Sequence, residues 1–531
     1  MNKKWVYYLT AFFSGTSVMA IELGASRLLA PYFSSSQIVW TIIIGIIMVA
    51  MAVGNVIGGK MADKSKTPTR LFLWLFGAAT WTMLIPLFGK FLISAVALGL
   101  ATFVTKNYLI WSALLSCILV FAFPLTVLGM VTPNLVKFAV KDISENGKTV
   151  GIIEACNTVG SIIGTFLPTF ITIPTVGTSL TFIIFASVLY AVCIAYFIFR
   201  KKFIIKSSVI TAICLTIGLL SSNIGVAFWQ NDLLYEGESV YNYLRVEETK
   251  SSIILSTNVL FGVQSIKKKN DNLSGMYYDY ALASPVMSQT DKEGLSVLVL
   301  GLGTGTFATQ CLKYFDCCEV EGVEIDGEII RLAKQYFDLP ESVVAHEQDG
   351  RAFIDRTDKK YDVIMIDAYK DITIPFQMSS VEFFQSVKSA LKPNGSIVLN
   401  MNMYSTKKGG INDYLIGTVA QVFDSVYTVR TGGNVELFAS NGYDCKEKLI
   451  DNLNLINNTR LKSMMYSVSN DMEKQDKNGY VLTDDKAPVE VLGMDILDDM
   501  ISAELKSVRD LIKGKSLIEL ITMLFEGEFF Y

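Results

Sequence analysis

Three closely spaced glycines and an acidic residue farther along the chain could together bind a nucleoside. The glycines are Gly301, Gly303 and Gly305, and they lie between a short apolar run and an amphipathic segment. This order predicts a strand, a glycine turn and a helix, in which the turn lets the backbone approach a ligand closely. Glu324 ends a second strand-like run, about 20 residues on, where a carboxylate can accept hydrogen bonds from both ribose hydroxyls. The stretch therefore predicts a nucleoside site, with an incidental glycine turn as the alternative.

The spacing of the glycines favours one class of nucleoside cofactor. Dinucleotide-binding folds prefer the pattern G-x-G-x-x-G. This loop reads G-x-G-x-G, with Thr306 at the last position of that pattern. An adenosine sulfonium compound, such as S-adenosylmethionine, is therefore a better candidate than NAD.

Two further acids are expected beside this loop. Asp349 follows the strand-like run Val343–His346, and Asp367 follows the run Tyr361–Ile366. Ligands of parallel α/β sheets bind beyond the carboxyl ends of the strands. The glycine loop, Glu324, Asp349 and Asp367 should all meet there, and this convergence is the strongest functional indication in the sequence.

The elements that would position these residues follow from the alternation of strand and helix patterns after Ser296. This alternation predicts a parallel, doubly wound α/β sheet. The runs Ser425–Thr431 and Val435–Ser440 are typical of a closing hairpin. Before the sheet, Tyr235–Met276 alternates apolar and polar residues around turn residues, which predicts a small β subdomain.

The remainder of the chain is too apolar for a single soluble domain. Of 531 residues, 51% are hydrophobic, the mean hydropathy is +0.40, and charges are sparse before Trp229. We therefore predict a multi-pass α-helical membrane domain joined to an α/β soluble domain. The predicted domains are a membrane domain (1–230), a small β subdomain (231–290), a nucleoside-binding domain (291–497) and a helical C-terminal tail (498–531).

Charge and cysteine usage exclude two kinds of partner. A net charge of −4 gives no basic field, so we expect no nucleic acid. Eight scattered cysteines and a single histidine, His346, do not complete a Cys/His zinc site. We therefore expect free thiols in a reducing compartment and no metal cofactor.

Seven apolar runs, each near the ~20 residues needed to cross a bilayer, predict seven membrane spans. They are Trp5–Leu29, Ile38–Gly58, Leu71–Phe88, Leu109–Met130, Val150–Ile171, Thr178–Phe199 and Ser207–Trp229. An eighth, shorter run, Phe91–Thr105, is expected either to cross as well or to be re-entrant or interfacial. The first run continues through Glu22 and Arg27 without a small-residue cleavage site, which favours a retained helix over a signal peptide.

Ionisable residues within the spans are functional candidates because a charge inside a bilayer is costly. These residues are Glu22, Arg27 and Glu154, and for Glu22 and Arg27 a structural role and a ligand-binding role are equally open. The loop Gly54–Arg70 and the segment Gly147–Pro168 loosely resemble parts of major facilitator transporters. That resemblance implies at most half of such a transporter.

The distribution of basic residues predicts the sidedness of the loops. Lysine and arginine concentrate in Lys3-Lys4, Lys60–Arg70, Lys137–Lys148 and Arg200–Lys206, which the positive-inside rule assigns to the cytoplasm. With seven crossings of the cell membrane the soluble domain would then lie outside. A nucleoside cofactor is made in the cytosol, and for that reason we expect a cytoplasmic soluble domain against the charge count.

From Tyr235 to Leu497 the chain resembles the spermidine synthases, the polyamine aminopropyltransferase family, in the form fused to membrane helices. The matching segments occur in the order of the family. They are ESVYNYLRV (Glu238–Val246), Gln264, YYDYALASP (Tyr277–Pro285), VLGLGTG, VEID (Val323–Asp326), QDGRAF (Gln348–Phe353), YDVIMIDAY (Tyr361–Tyr369) and LTDDKAPVE (Leu482–Glu490). The resemblance implies a class I methyltransferase-like, Rossmann-like sheet.

The resemblance also implies a role for each matching residue. The cofactor would be bound by Gln264, Gly301, Gly303, Thr304, Gly305, Glu324, Asp349 and Gly350. Asp367 would accept the proton of an attacking amine, assisted by Asp371 and by Tyr278 or Asp279. S-adenosylmethionine or its decarboxylated form would donate an aminopropyl-type group to an amine or polyamine, and methylthioadenosine would leave. The lipid bilayer and a second copy of the chain, in a homodimer, are the expected larger partners.

Four departures from the family pattern lie on the side of the transferred group and the polyamine. Thr304 replaces an aspartate, Tyr277-Tyr278-Asp279 replaces Tyr-His-Glu, Asp367-Ala368-Tyr369 replaces Asp-Ser-x-Asp, and Asn242 replaces a glutamine. The acceptor is therefore left open. Two other functions stay open as well: methyl transfer from, or cleavage of, the same cofactor, and a transporter half whose soluble domain only senses a nucleoside or polyamine.

Overall fold

The computed structural model describes most of the chain. The described residues are 4–104, 106–140, 146–230, 233–259, 263–270, 273–289, 294–315, 318–369, 374–402, 407–494, 496, 506, 515 and 519. The predicted catalytic residue Asp371 and most of the predicted tail 498–531 lie outside them. The chain divides into two compact units, the first built from the N-terminal helices and the second from two sheets.

The first unit is helical. Its helices are α1 (Lys4–Phe33), α2 (Gln37–Lys64), α3 (Thr69–Phe103), α4 (Tyr108–Gly129), α5 (Val131–Ala139), α6 (Asn146–Leu167), α7 (Ile173–Arg200) and α8 (Ile204–Ser221). Within the described part of the chain, six helical segments are long and apolar enough to cross a membrane. One of them, Asn146–Arg200, has 55 residues and contains the non-helical Gly177, so it includes two of the predicted spans.

Two features of these helices bear on the predicted spans. The run that begins at Phe91 continues α3 as far as Phe103 without a break, so a separate eighth crossing has no helix of its own in the described residues. Gly160 packs directly on the backbone of Phe12, because a Cβ atom there would overlap the Phe12 carbonyl oxygen. Such contacts let neighbouring helices approach closely.

The second unit begins with a four-stranded antiparallel sheet in the order β1-β2-β3-β4. Its strands are β1 (Leu233–Glu238), β2 (Tyr243–Glu248), β3 (Ser252–Ser256) and β4 (Ser265–Lys268). Two short helices follow, α9 (Tyr277–Ala281) and α10 (Ala283–Ser288). The last part of the predicted β subdomain, residues 277–288, is therefore helical.

An eight-stranded sheet forms the centre of the second unit. Its strands are β5 (Ser296–Leu300), β6 (Glu319–Glu324), β7 (Val344–Glu347), β8 (Tyr361–Ile366), β9 (Leu391–Met401), β10 (Ser425–Thr431), β11 (Asn434–Ser440) and β12 (Glu473–Lys474). The order is β12-β10-β11-β9-β8-β5-β6-β7. Strands β5 to β9 pair in parallel, whereas β10 and β11 form the expected antiparallel hairpin and make the sheet mixed.

Helices cover both faces of this sheet. They are α11 (Thr306–Tyr314), α12 (Gly327–Tyr336), α13 (Gly350–Ile354), α14 (Val381–Ser389), α15 (Ile411–Val422), α16 (Cys445–Asn452) and α17 (Thr459–Asp471). Strand β5 is buried on both faces, with Val297 and Val299 in one apolar cluster and Leu298 and Leu300 in the other. A continuous apolar run is what such a central parallel strand requires. The predicted doubly wound, class I methyltransferase-like fold is confirmed.

The strand order also determines where a ligand can bind. The chain runs outward from β5 through β6 to β7, and it runs in the opposite direction from β5 through β8 to β9. The switch point therefore lies between β5 and β8, and ligands of such sheets bind beyond the carboxyl ends of the strands at that point.

Candidate active site

The glycine loop after β5 has a backbone that only glycine accommodates easily. Gly301, Gly303 and Gly305 all have positive φ angles, of 87°, 54° and 78°. A Cβ atom on Gly301 would overlap the carbonyl oxygen of Asp367, so the loop lies directly against the turn that follows β8. The ends of β5 and β8 are thus joined by close backbone packing.

Glu324 binds this loop from the end of β6. Its carboxylate accepts hydrogen bonds from the backbone N–H of Gly303 (2.9 Å) and of Asp326 (3.2 Å), one on each oxygen. The side chain is 8% exposed, and burial raises its pKa while these hydrogen bonds act in the opposite direction. Each carboxylate oxygen can accept a second hydrogen bond. The residue therefore fits the predicted role of binding a ribose, with its position fixed by the loop.

Asp349 caps the short helix α13. Its Oδ1 accepts a hydrogen bond from the backbone N–H of Ala352 at 2.8 Å, which leaves the other oxygen for a ligand. Gly350 packs beside Met378, since a Cβ atom there would lie 3.0 Å from the methionine methyl group. The following residue, Arg351, binds the carboxylate of Asp484 at 3.2 Å and so attaches the late LTDDKAPVE segment to α13.

Asp367 lies at the end of β8, on the other side of the switch point. The Tyr277 hydroxyl donates to its Oδ2 at 2.6 Å, and the Asn400 side-chain amide donates to its Oδ1 at 2.7 Å. Burial raises the pKa of Asp367 to about 7; the two hydrogen bonds oppose the shift, and nearby Glu324 adds to it. A carboxyl group with this pKa can accept or release a proton at neutral pH.

The other residues predicted for the amine side are placed differently. The Tyr278 hydroxyl donates to the backbone carbonyl of Gln264 at 3.3 Å, and its ring lies 4.0 Å from that of Tyr277. Asp279 is fully buried and accepts hydrogen bonds from Ser274, Gly275 and Gln310, at 2.9, 2.6 and 2.6 Å. Its carboxylate thus holds together the start of α9 and helix α11.

Thr304 and Gln264 complete the set of predicted cofactor-binding residues. Thr304 is 2% exposed, and its hydroxyl lies 3.4 Å from that of Thr306. Gln264 precedes β4 and is half-buried. The Thr306 hydroxyl donates to the carbonyl of Ile266 in β4 at 3.2 Å, so the small antiparallel sheet is attached to the glycine loop.

Three residues with a clear structural connection to the site were missed by the sequence analysis. Asn400, near the end of β9, holds Asp367, and Glu436, in β11, lies directly opposite Asn400. Asp326 accepts hydrogen bonds from Ser239 (2.6 Å) and Asn242 (2.9 Å), which connects the small sheet to α12. The available signal for Glu436 was a single acid in the otherwise apolar strand VELFAS.

Comparison with known proteins gives a consistent set of matches. Residues 277–431 match the model of the spermine/spermidine synthase domain. A probable polyamine aminopropyl transferase of Bifidobacterium longum is 43% identical over 339 residues, which cover 60% of this chain and 75% of that protein. A polyamine aminopropyltransferase of Hydrogenobaculum is 30% identical over 173 residues, or 31% of this chain and 59% of the relative.

The solved structures include a probable spermidine synthase from Corynebacterium glutamicum. It is 20% identical, has a TM-score of 0.37, and the match covers 46% of this chain and 90% of that one. These comparisons do not show the loose resemblance of the N-terminal helices to a transporter half.

Proposed function

Because the chain belongs to the spermine/spermidine synthase family, we propose that its second unit transfers an aminopropyl group from decarboxylated S-adenosylmethionine to an amine. The observation that carries this proposal is Asp367, a carboxyl group with a pKa of about 7 at the switch point of the sheet, held by Tyr277 and Asn400. Such a group suits the removal of a proton from an amine near neutral pH.

The adenosine part of the co-substrate would bind at the glycine loop and at the ends of β6 and β7. The left-handed glycines leave no side chain between the backbone and a ligand. Glu324 would accept from the ribose hydroxyls, and Asp349 and Gly350 would lie at the adenine side. Gln264 and Thr304 would lie nearer the sulfonium.

The acidic residues around Asp367, on the amine side of the site, favour the decarboxylated form of the co-substrate. In the described part of the chain, the neighbours of Asp367 include Tyr277, Asn400 and Glu436, none of which is basic. A carboxylate on the co-substrate would be repelled there by Asp367, whereas the ammonium group that remains after decarboxylation would be attracted.

The reaction then requires one displacement and one proton transfer. The unprotonated amine nitrogen attacks the methylene carbon beside the sulfonium, the new C–N bond forms, and the C–S bond breaks. The electron pair of that bond goes to sulfur, which leaves as neutral methylthioadenosine. The carboxylate of Asp367 takes the proton that the nitrogen loses. Tyr277 and Asn400 hold the carboxylate in place for this step.

Product analysis tests this proposal. Detergent-purified protein is incubated with S-adenosylmethionine or with its decarboxylated form, with and without 1,4-diaminobutane, and all nucleosides and amines are identified by mass spectrometry. We expect amine-dependent methylthioadenosine from the decarboxylated form alone. Formation of S-adenosylhomocysteine would replace the proposal by methyl transfer, and binding without turnover would replace it by sensing.

We also infer that the first unit lies in the cell membrane with the second unit in the cytoplasm. The membrane location is supported by the six sufficiently long and apolar helical segments found in the described ranges. The cytoplasmic side rests on the supply of the co-substrate, against the charge count of the loops. A C-terminal green fluorescent protein fusion should fluoresce; an active C-terminal alkaline phosphatase fusion would contradict this sidedness. Asp371 as an assisting residue and the homodimer remain predictions.

A further inference from the structure

A buried acid next to Asp367 has no role in the reaction derived above. Glu436, in β11, is 0% exposed, and neither of its carboxylate oxygens accepts a hydrogen bond from the residues that the structure describes. A buried polar group without a partner costs free energy, so natural proteins keep few of them. Such a group needs an explanation, and a role in binding a ligand is one.

The pairing of the strands places Glu436 on the same face of the sheet as the candidate active site. Glu436 is directly opposite Asn400 in the antiparallel pair of β9 and β11, and side chains of such pairs project to the same face. Asn400 donates to Asp367 at 2.7 Å on that face. Helix α9, which carries Tyr277, packs on both β9 and β11.

The hydrogen-bonding groups around Glu436 are already used. The Asn434 amide donates to the Asn400 side-chain oxygen at 2.8 Å, which orients the Asn400 amide toward Asp367. The hydroxyl of Tyr277 donates to Asp367, and the hydroxyl of Tyr369 donates to the backbone carbonyl of Asn400. Among the residues that the structure describes, these side chains therefore leave the carboxylate of Glu436 without a hydrogen-bond donor.

Electrostatics agrees with this placement. Burial and then the charge of Asp367 raise the pKa of Glu436 well above its usual range, and Glu436 in turn adds to the raised pKa of Tyr369. The titratable groups that face one another here are Asp367, Glu436, Tyr277, Tyr278, Tyr369 and Glu324. These groups include three carboxylic acids and, among the described residues, no base, which favours a ligand with more than one positive charge.

We propose that Glu436 is a specificity-determining residue that binds the second, cationic nitrogen of a diamine acceptor while Asp367 faces the reacting nitrogen. This assignment rests on the proposed aminopropyl transfer. An ammonium group offers three N–H donors and one charge, which satisfies a buried carboxylate far better than a neutral donor does. Glu436 ionises when the ammonium group binds and gives up its proton to solvent.

The spacing of the strands limits the length of the acceptor. Asp367, Asn400 and Glu436 lie in one row across β8, β9 and β11, so the backbones of the two acids are about 10 Å apart, or two strand spacings. The two side chains shorten the gap between the carboxylates. A short diamine therefore suits the pair, and the full burial of Glu436 closes that end of the site to a longer chain.

Calorimetric titration tests the assignment without relying on turnover. The full-length, detergent-purified protein is saturated with methylthioadenosine and titrated with 1,4-diaminobutane or with butylamine, its matched monoamine. We expect Glu436→Gln to weaken diamine binding by about tenfold or more, the effect of losing a charge-assisted hydrogen bond, and to change butylamine binding by less than about twofold. In turnover, the KM for the diamine should rise while kcat changes little.

Controls separate this role from a general effect on folding. Glu436→Met, an apolar side chain of similar length, should give the same loss for the diamine, and Glu436→Asp should restore part of the affinity. Glu473→Gln, on the exposed strand β12 of the same sheet, should bind both amines as the wild type does. The affinity for methylthioadenosine should be unchanged in every variant.

The outcomes distinguish this assignment from the proposed function. If the wild type turns over a diamine but Glu436→Gln binds both amines normally, or weakens both equally, the assignment is wrong and the function stands. If diamine binding depends on Glu436 but no methylthioadenosine forms, the transfer reaction fails and the binding role stands. If the wild type binds neither amine, both are overturned.

Discussion

The acidic residues on the two sides of the candidate active site receive hydrogen bonds from different kinds of donor. On the adenosine side, Glu324 and Asp349 accept hydrogen bonds from nearby backbone N–H groups. On the amine side, Asp367 is held by the side chains of Tyr277 and Asn400, which are 90 and 33 positions away in the chain. Glu436 has no donor among the described residues.

This difference indicates which side can vary without loss of the fold. Acids bound by the backbone are fixed by the loops to which they belong, so their substitution would disturb the loops. Acids bound by distant side chains can change their environment through single substitutions in other elements. Two of the four departures from the family pattern, Tyr277-Tyr278-Asp279 and Asp367-Ala368-Tyr369, lie on the amine side. The other two do not, since Thr304 is in the glycine loop and Asn242 donates to Asp326.

The largest effect should come from Asp367→Asn. The variant cannot accept the amine proton, so we expect kcat to fall by about 10²- to 10⁴-fold, the usual contribution of a general base. The amide keeps the shape of the side chain, and the affinity for methylthioadenosine should stay within about threefold. The control is Asp358→Asn, an exposed acid before β8. A comparable loss of nucleoside binding in Asp367→Asn would remove the distinction between the two sides.

A smaller effect, on nucleoside binding and stability instead of on the proton transfer, is expected from Gly301→Ala. Its φ of 87° and its contact with the Asp367 carbonyl make a methyl group costly, by about 1–3 kcal/mol of strain. We expect the melting temperature to fall and nucleoside binding to weaken. Gly433→Ala, in the β10–β11 turn with nothing within 4 Å of a Cβ atom, is the matched control and should be neutral. Unchanged nucleoside affinity in Gly301→Ala would separate the loop from the cofactor.

The smallest effect should distinguish two neighbouring tyrosines. Tyr277→Phe removes a hydrogen bond to Asp367, so kcat should fall by about tenfold, as for other charge-assisted hydrogen bonds. Tyr278 donates instead to a backbone carbonyl, and Tyr278→Phe should cost clearly less. Steady-state rates of both variants measure the difference. Equal losses would mean that the pair acts through ring packing instead of through Asp367.

Most of the adenosine side could be predicted from the sequence, because its contacts follow from short local patterns. The apolar run of β5, the glycines and the acid at the end of β6 are enough to specify two strands and a glycine turn. The same is true of the β10–β11 hairpin. The same short sequence patterns therefore predict both the fold of this region and the residues expected to bind the cofactor. Ribose binding by Glu324 remains a prediction.

The amine side could be predicted only in part, since its contacts join elements far apart in the chain. Asp367 was predicted from its position after a strand, but its partners Tyr277 and Asn400 depend on which elements the fold brings together. The role of Glu436 depends on the register of β9 and β11, which no local pattern gives. In the first unit, hydropathy predicted the apolar runs, but not that Phe91–Phe103 would continue α3.

The pH dependence of kcat/KM tests most directly whether Asp367 is the base, because it reports the groups of the free enzyme. Below its pKa of about 7 the carboxyl group of Asp367 is protonated and cannot accept a proton, so kcat/KM for the diamine should rise with a midpoint near pH 7. The Tyr277 hydrogen bond lowers that pKa, and Tyr277→Phe should therefore move the midpoint upward. Asp367→Asn should lack this step. The same midpoint in Asp367→Asn, or a flat profile in the wild type, would contradict the account.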